Sequence, residues 1–416
     1  MQRKNKNLHV VKSIEERTDK LMKDIMSDGN GGDGQTDSPD EQIRQHRKRV
    51  TRKTVIVCIT VLVVVTALFL FIQLQTYTKV RTIDTYTIAG AADSNYKQFA
   101  DGVLKYSRDG ISYLNQNGEE QWNQAYQIKN PFVVTNTTSA AVADKGGNDI
   151  IVFREEGVKG EIHTTLPIQK ITVSEQGIVC AILKQENMPK IICYDMAGNV
   201  LVEHKASAEG MGYPLNVSIS PNGEVVQALY LYTRDGKITS KVVYYNFAEA
   251  GEDQTDRQVT YEEYENTIMA EGFFMSQNVS VAAGDNCLLI YKGNDVPKET
   301  VKIELKKEIK SVFHSDKYIG LVLKNTGKGG YELRLYDMAG KQILSEDFSG
   351  DYGNVKMCGN QVIMYDRTRC CIFTRRGIHK FQGEADNTIL EIFPVSGINK
   401  YIMMNTNGME HIRIVK

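Results

Sequence analysis

The sequence predicts an all-β protein, a β-propeller, preceded by one transmembrane helix. Three observations support this prediction: an uncharged apolar stretch, a long C-terminal part built of short β-rich runs, and a motif that recurs at the spacing of a propeller blade. We expect a tail over residues 1–53, a transmembrane helix over 54–74 and a propeller over 80–416 of the 416-residue chain.

The apolar stretch runs from Thr54 to Leu74 and carries no charge. Its threonine hydroxyls can bond back to helix carbonyls, and about twenty residues at about 1.5 Å each cross a hydrocarbon core of roughly 30 Å. Basic residues crowd its upstream flank: Arg44, Arg47, Lys48, Arg49, Arg52 and Lys53. By the positive-inside rule the N-terminus is cytoplasmic and the C-terminal domain is extracytoplasmic, on the outside of the cell membrane.

A cleavable signal peptide is the alternative for this stretch. The long polar segment before it, and the absence of a small-x-small site in the residues that follow Leu74, argue against cleavage. We therefore predict a single-pass membrane protein.

The cytoplasmic tail divides into two parts. Residues 8–26 place apolar side chains near helical spacing with charges between them, which predicts a short amphipathic helix. Residues 27–40 contain no apolar side chain and cannot offset the entropy of ordering, so we expect a disordered linker.

Charge is distributed unevenly along the chain. Residues 1–53 hold 13 basic and 9 acidic side chains, whereas the remainder holds 37 and 42. A mildly acidic C-terminal domain gives no reason to expect a nucleic acid as a partner, because nucleic-acid recognition requires a basic face.

Six of the seven cysteines lie beyond the apolar stretch: Cys180, Cys193, Cys287, Cys358, Cys370 and Cys371. A turn over Gln185 to Met188 would let Cys180 and Cys193 face each other across a hairpin, a spacing that permits a disulfide. Because each cysteine sits in an apolar run, we favour the interpretation that all six are small buried hydrophobes.

The C-terminal part reads as many short strands. Runs rich in Val, Ile, Tyr and Thr, such as Asp149 to Phe153 and Lys190 to Tyr194, alternate with turn residues. Four dipeptides stand where hairpins favour φ above zero: Asp109-Gly110, Asn117-Gly118, Asn222-Gly223 and Asp235-Gly236. The strands are too numerous for a small sandwich.

An internal repeat identifies the architecture. Tyr194-Asp195-Met196-Ala197-Gly198 recurs unchanged at Tyr336 to Gly340, and looser copies end at Gly118, Gly157 and Gly377. The spacings, near 40 residues or three times that, match a four-stranded blade. The predicted blade starts lie near Gln98, Pro131, Ile168, Pro214, Thr267, Ile309, Val355 and Leu390.

The last blade has residues for only three strands, and Val80 to Ile88 is a strand without a blade. We infer that this strand completes the last blade and closes the ring, which removes exposed sheet edges. The prediction is eight blades, with seven as the alternative.

The strand-Asp-x-x-Gly-strand repeats resemble those of the quinoprotein-type and WD-like β-propellers. The arrangement of a basic tail, one span and an extracytoplasmic propeller is similar to an uncharacterised family of membrane-anchored proteins from Gram-positive bacteria. This resemblance covers nearly the whole chain, but its motifs mark the fold and imply no chemistry.

No catalytic, cofactor-binding or metal-binding residue is predicted. Adjacent Cys370 and Cys371 suggest a quinone site, but such propellers are rich in tryptophan and this chain has only Trp122. No Gly-x-Ser-x-Gly motif is present, and the five histidines beyond the apolar stretch fall in different blades: His163, His204, His314, His379 and His411. Paired carboxylates at the channel mouth of a propeller would leave no sequence signature.

One long acidic segment, Glu249 to Glu265, departs from the blade spacing with seven acids against Arg257. It fits an acidic loop for a basic partner or cation, but we favour a solvated insertion between blades four and five.

The sequence therefore favours a non-catalytic binding or scaffold module, anchored in the membrane, for another envelope protein or a cell-wall polymer. Two alternatives remain: an envelope glycan hydrolase or lyase, and a transmembrane sensor that signals to the tail.

Overall fold

The computed structural model describes residues 39–185, 189–205, 212–327 and 329–416. The chain divides into two units between Ile72 and Gln73. The predicted amphipathic helix at 8–26, most of the linker at 27–40 and most of the turn expected at 185–188 lie outside the described residues.

Helix α1 spans Pro39–Leu74. Within it, Val50–Leu68 is long and apolar enough to cross a membrane. The three threonine hydroxyls do bond back, since Thr54, Thr60 and Thr66 each donate to a carbonyl one turn earlier at 2.9 Å. The helix begins well before the predicted Thr54, with Pro39 at a first helical position that needs no N–H partner.

The second unit is an eight-bladed β-propeller, so the prediction of eight blades is confirmed and the seven-bladed alternative is wrong. Each blade is a four-stranded antiparallel sheet. The strands of the first four blades are β2 (Asn95–Phe99), β3 (Gly102–Tyr106), β4 (Gly110–Leu114) and β5 (Glu120–Ala125); β6 (Pro131–Thr135), β7 (Ala140–Asp144), β8 (Asp149–Arg154) and β9 (Gly157–His163); β10 (Ile168–Val173), β11 (Val179–Leu183), β12 (Lys190–Tyr194) and β13 (Val200–Lys205); β14 (Tyr213–Ile219), β15 (Val225–Arg234), β16 (Lys237–Asn246) and β17 (Gln258–Glu265). The strands of the last four are β18 (Met269–Ser276), β19 (Val279–Gly284), β20 (Cys287–Lys292) and β21 (Lys298–Glu304); β22 (Ile309–His314), β23 (Tyr318–Lys324), β24 (Tyr331–Asp337) and β25 (Gln342–Phe348); β26 (Asn354–Cys358), β27 (Gln361–Asp366), β28 (Arg369–Thr374) and β29 (His379–Glu384); β30 (Glu391–Pro394), β31 (Lys400–Asn405), β32 (Gly408–Val415) and β1 (Lys79–Thr87). Short 3₁₀ turns cover Ala91–Asp93, Glu249–Gly251 and Thr255–Arg257.

The closing strand lies where the sequence predicts it. β1 pairs with β32 from Lys79 opposite Val415 to Thr87 opposite Gly408, so the N-terminal strand completes the last blade. The residues just before it also hold blade 7, because the Tyr77 N–H donates to Lys380 O at 2.9 Å and the Gln382 N–H donates to Tyr77 O at 3.1 Å. We call residues 76–87 the closing segment.

The hydrophobic core lies between blades. The middle strands are buried throughout, as in β7 and β11, whereas an outer strand such as β21 alternates between exposed and half-buried positions. Successive residues of a middle strand contact different neighbouring blades: Cys180 packs against blade 4, and Ala181 packs against blade 2.

The repeated motif forms the turn between the third and fourth strands. The Asp195 Oδ1 accepts the N–H groups of Ala197 and Asn199 at 2.9 Å, and Asp337 does the same for Ala339 and Lys341. Positive φ occurs at Gly118, Gly223 and Gly236 as expected, but not at Gly110. There the glycine is required by close packing, because an added Cβ would lie 2.8 Å from Gln124 O.

Two faces of the ring need names. The lower face carries the turns between first and second strands and between third and fourth strands; the upper face carries the remaining turns and the connections between blades.

Candidate functional site

The candidate site is a cavity of about 800 Å³ at one end of the propeller axis. First strands of seven blades line it, from β2 to β26. Residues that follow these strands, including Thr137, Glu175 and Asp316, also line it, so it opens on the lower face. We call this cavity the channel mouth. Its volume is that of a site for a small molecule or a protruding protein segment.

One wall of the channel mouth carries a polar group from each of three consecutive blades. The Asn216 Nδ2 of β14 donates to the Glu271 Oε2 of β18 at 3.1 Å, and the Lys170 Nζ of β10 lies 3.7 Å from the same oxygen. Asn216 is buried, but the Lys170 and Glu271 side chains are 37% and 55% exposed. An ion pair so open to water contributes less than about 1 kcal/mol, so a ligand can compete for it.

An aromatic pair continues this wall. Phe273 lies two residues after Glu271 on β18 and stacks on His314 of β22, with ring centroids 3.9 Å apart and planes inclined by 5°. The His314 ring reaches the solvent inside the cavity while the channel strands surround it. Burial among these strands lowers the pKa of His314, so the imidazole is neutral near pH 7.

Deeper in the channel is a buried ion pair. Glu391 at the start of β30 is 4% exposed and pairs with Lys356 of β26. The same carboxylate accepts the Gln98 N–H at 3.3 Å and the Tyr365 hydroxyl at 3.3 Å. This network ties blades 7, 8 and 1 together around the axis.

The adjacent Cys370 and Cys371 are free thiols and form no vicinal disulfide. Cys370 packs with the blade 8 core and Cys371 with the blade 6 core, on opposite faces of β28 because neighbouring residues of a strand alternate. The Cys371 Sγ lies 3.4 Å from the His379 Nε2, but burial raises the pKa of the Cys371 thiol to about 12 and lowers the pKa of His379. Both groups are therefore neutral, and the thiol is not an activated nucleophile.

The interpretation of all six cysteines as free hydrophobes is wrong for one pair. Cys180 and Cys193 stand directly opposite each other on β11 and β12 and form a disulfide, with Cα atoms 4.0 Å apart. Cys287, Cys358, Cys370 and Cys371 are free and buried. The apolar surroundings that favoured the simpler interpretation are real, since both bonded cysteines are also buried.

We expect that replacing both bonded cysteines by alanine lowers the free energy of unfolding by about 2–3 kcal/mol, because the bridge restricts the unfolded chain. The measurement is thermal unfolding of the purified full chain with and without reductant. Reductant should destabilise the wild type but not the double variant. Equal sensitivity of both proteins would contradict a bridge at this position.

The other predicted histidines stay apart, each in its own blade. His163 lies 2.8 Å from the exposed Asp149 carboxylate. His411 bonds to the Gln116 carbonyl at 2.6 Å and contacts Tyr86. Only His314 among the described histidine side chains lines the channel mouth.

The interpretation of the acidic segment as an insertion between blades 4 and 5 is wrong, because the segment lies within blade 4. Its second half, residues 258–265, forms β17, the outer strand of blade 4, and only residues 247–257 connect β16 to it. An outer strand has one solvent-exposed face, which accommodates Glu263 and Glu265 while Tyr264 bonds to the Tyr291 hydroxyl at 2.6 Å.

The lower face has a pronounced charge asymmetry. In the described residues, the lower-face turns of blades 1 to 5 contain Arg257 as their one basic residue and twelve acidic residues: Asp101, Glu119, Glu155, Glu156, Glu175, Asp195, Glu224, Glu249, Glu252, Asp253, Asp256 and Asp295. The corresponding turns of blades 6 to 8 contain Asp316 and four basic residues: Lys317, Lys341, Arg375 and Arg376. The described upper-face turns and connections contain equal numbers, seven of each sign.

Metal binding finds no support in the part of the chain that the structure describes, where no three His, Cys, Asp or Glu side chains are grouped to hold an ion. Three carboxylates do line the channel mouth: Glu175, Glu271 and Asp316. Two of them already have a cationic neighbour, Lys170 for Glu271 and Lys317 for Asp316 at 3.6 Å.

The residues of the channel mouth were not identified from the sequence. Lys170, Asn216, Glu271 and His314 are far apart in the chain and meet only because first strands converge on the axis. The available signal was weak: polar residues at alternate positions of runs such as Ile168 to Val173, which also occur in any half-buried strand.

Comparison with known proteins identifies the fold and a family. A family model described as "Family of unknown function (DUF5711)" matches residues 73–414. A comparison with curated protein sequences found no match.

Solved propellers resemble the chain at low identity. They include the C-terminal WD40 domain of Sif2 (TM-score 0.55, 9% identity, 82% of this chain and 100% of that chain) and Saccharomyces cerevisiae Sqt1 (TM-score 0.53, 12% identity, 82% and 100%). BamB from Moraxella catarrhalis gives a TM-score of 0.47 at 11% identity over 81% of this chain and 100% of that chain. At such identities the likeness concerns the fold alone.

Proposed function

Because the chain belongs to DUF5711, a family of unknown function, we propose a function from its own geometry. The propeller is a non-catalytic binding module that α1 holds at the outer side of the cell membrane. Its ligand site is the channel mouth, and its partner is another envelope protein or a cell-wall polymer.

The observation that carries the proposal is the cavity itself. About 800 Å³ of open space lies where seven first strands converge, lined by side chains that offer hydrogen bonds, opposite charges and aromatic surface. Such a site needs no reacting group, and loops on a rigid ring are typical positions for recognition.

Two features support an extracytoplasmic propeller. The basic residues that flank the apolar stretch are concentrated on its N-terminal side, which favours a cytoplasmic N-terminus. The buried disulfide between Cys180 and Cys193 is typical of an oxidising compartment.

A glycan hydrolase or lyase remains the second candidate, because three carboxylates line the channel mouth. The contacts of Glu271 with Lys170 and Asn216 favour binding over proton transfer, since both contacts already engage the same carboxylate oxygen. Release of reducing ends from isolated cell-wall glycan by the wild type, abolished in Glu271→Gln, would favour the enzyme.

The test is site-specific photocrosslinking in living cells with the full chain. A benzophenone amino acid replaces Thr137, an exposed residue at the channel mouth, and in a matched control it replaces Thr388, an exposed residue of the upper face. We expect a discrete adduct from position 137 and none from 388. Absence of an adduct at 137, or the same adduct at both positions, would contradict the proposed site.

A further inference from the structure

We propose, resting on the function proposed above, that the ligand of the channel mouth is a basic polypeptide segment. The segment lies across the acidic lower face of blades 1 to 5 and places a lysine or arginine side chain in the cavity.

The charge of the lower face is the first reason. The lower-face turns of blades 1 to 5 hold twelve acids against one arginine on the face where the cavity opens, and Glu175 among them lines the cavity, whereas the upper face is balanced. A concentration of one sign around a concave site raises the local concentration of oppositely charged ligands and speeds their association. The basic turns of blades 6 to 8 then favour one orientation of the bound segment, because they repel its basic part.

The side chains inside the cavity agree with a cationic group. Glu175 and Glu271 both line the channel mouth, and the Glu175 carboxylate makes no ion pair within the described residues. Its backbone carbonyl accepts the hydroxyls of Thr138 and Ser139 at 3.1 Å, so the turn that presents the carboxylate is held in place.

The aromatic pair adds to this preference. His314 is neutral near pH 7, so it does not repel an incoming cation. The Phe273 ring beside it offers an aromatic surface of the kind that contacts alkyl stems and guanidinium planes.

Other ligand classes agree less well with these groups. A metal ion lacks a set of ligands in the described part of the chain. An anionic polymer would meet the acidic turns, and a neutral glycan would gain nothing from them.

The experiment uses the full chain in nanodiscs of zwitterionic phosphatidylcholine and three fluorescent peptides of equal length. One peptide alternates Lys and Arg with Gly and Ser, the second has Glu in place of Lys and Arg, and the third has Gln. Fluorescence anisotropy reports binding. We expect only the basic peptide to bind, with an affinity that falls as salt rises from about 0.05 M to about 0.5 M.

Two charge-reversal variants locate the site. Glu175→Lys and Glu271→Lys should each weaken the basic peptide at least about tenfold. Asp386→Lys, which reverses an exposed acid of the upper face, should change the affinity by less than about twofold. Equal melting temperatures of the variants would exclude misfolding as the cause.

Each alternative outcome overturns the inference. Equal binding of the three peptides, no binding of the basic peptide, or equal losses in all three variants would show that the lower face does not select a basic segment. A crosslinked partner at position 137 whose contacting segment is neutral or acidic would also overturn it while leaving the proposed function intact. Absence of any adduct at 137 would instead remove the proposed function.

Discussion

Replacing the closing segment, residues 76–87, by a Gly/Ser linker of equal length is expected to lower the melting temperature of the propeller by about 10 °C or more. The replacement removes the fourth strand of blade 8 and the contacts that Tyr77 makes with Lys380 and Gln382 of blade 7. Loss of a buried aromatic side chain alone costs about 3 kcal/mol, and each kcal/mol corresponds to roughly 2–4 °C in domains of about 150–250 residues, so the loss of the whole strand is needed to reach this shift in the larger propeller. Thermal unfolding of the full chain measures the change.

Two comparisons separate closure from the loss of any outer strand. The same treatment of β9, an outer strand that does not close the ring, should have a smaller effect. Gly383→Val leaves the sequence of the closing segment intact but places a Cβ 2.3 Å from the Thr78 carbonyl oxygen, which forces the segment away. This variant should therefore also lower the melting temperature. If replacing the closing segment lowers the melting temperature no more than replacing β9 does, the interfaces between blades alone hold the ring closed.

The blade pattern was readable from sequence because the same local chemistry repeats. The Asp195 and Asp337 turns bond identically, and the structure begins blades at Pro131, Ile168 and Ile309 as predicted, with the other starts within a few residues. β17 was missed because an outer strand tolerates charges on its exposed face, so its acidic composition suggested a loop.

The site could not be predicted in the same way. Its residues depend on which first-strand positions face the axis, and that orientation is set by the twist and closure of the whole ring rather than by local pattern. The disulfide was predictable only in part. The hairpin spacing permitted a bridge, but Cys180 and Cys193 face each other only in one register of β11 and β12, and the apolar run alone does not determine that register.

Lys356→Met is expected to reduce the free energy of unfolding at pH 7 by about 3–5 kcal/mol, because it leaves the buried Glu391 carboxylate without its cation. Urea denaturation of the full chain at pH 7 checks this. Lys317→Met, in an exposed pair, should change stability by less than about 1 kcal/mol.

The reciprocal variant should behave differently, because the two members of the pair are not equally buried. The Lys356 side chain is 24% exposed, whereas the Glu391 side chain is 5% exposed. In Glu391→Gln, the ammonium of Lys356 can therefore turn toward water in the channel. The free energy of unfolding should therefore fall less in Glu391→Gln than in Lys356→Met. Combining Lys356→Met with Glu391→Gln removes both charges and should recover much of the stability, since the amide oxygen can still accept one of the two donors, the Gln98 N–H or the Tyr365 hydroxyl. If the two single variants lose equal stability and the double variant loses the sum, the pair is not coupled across the blades and the network does not stabilise the ring as an ion pair.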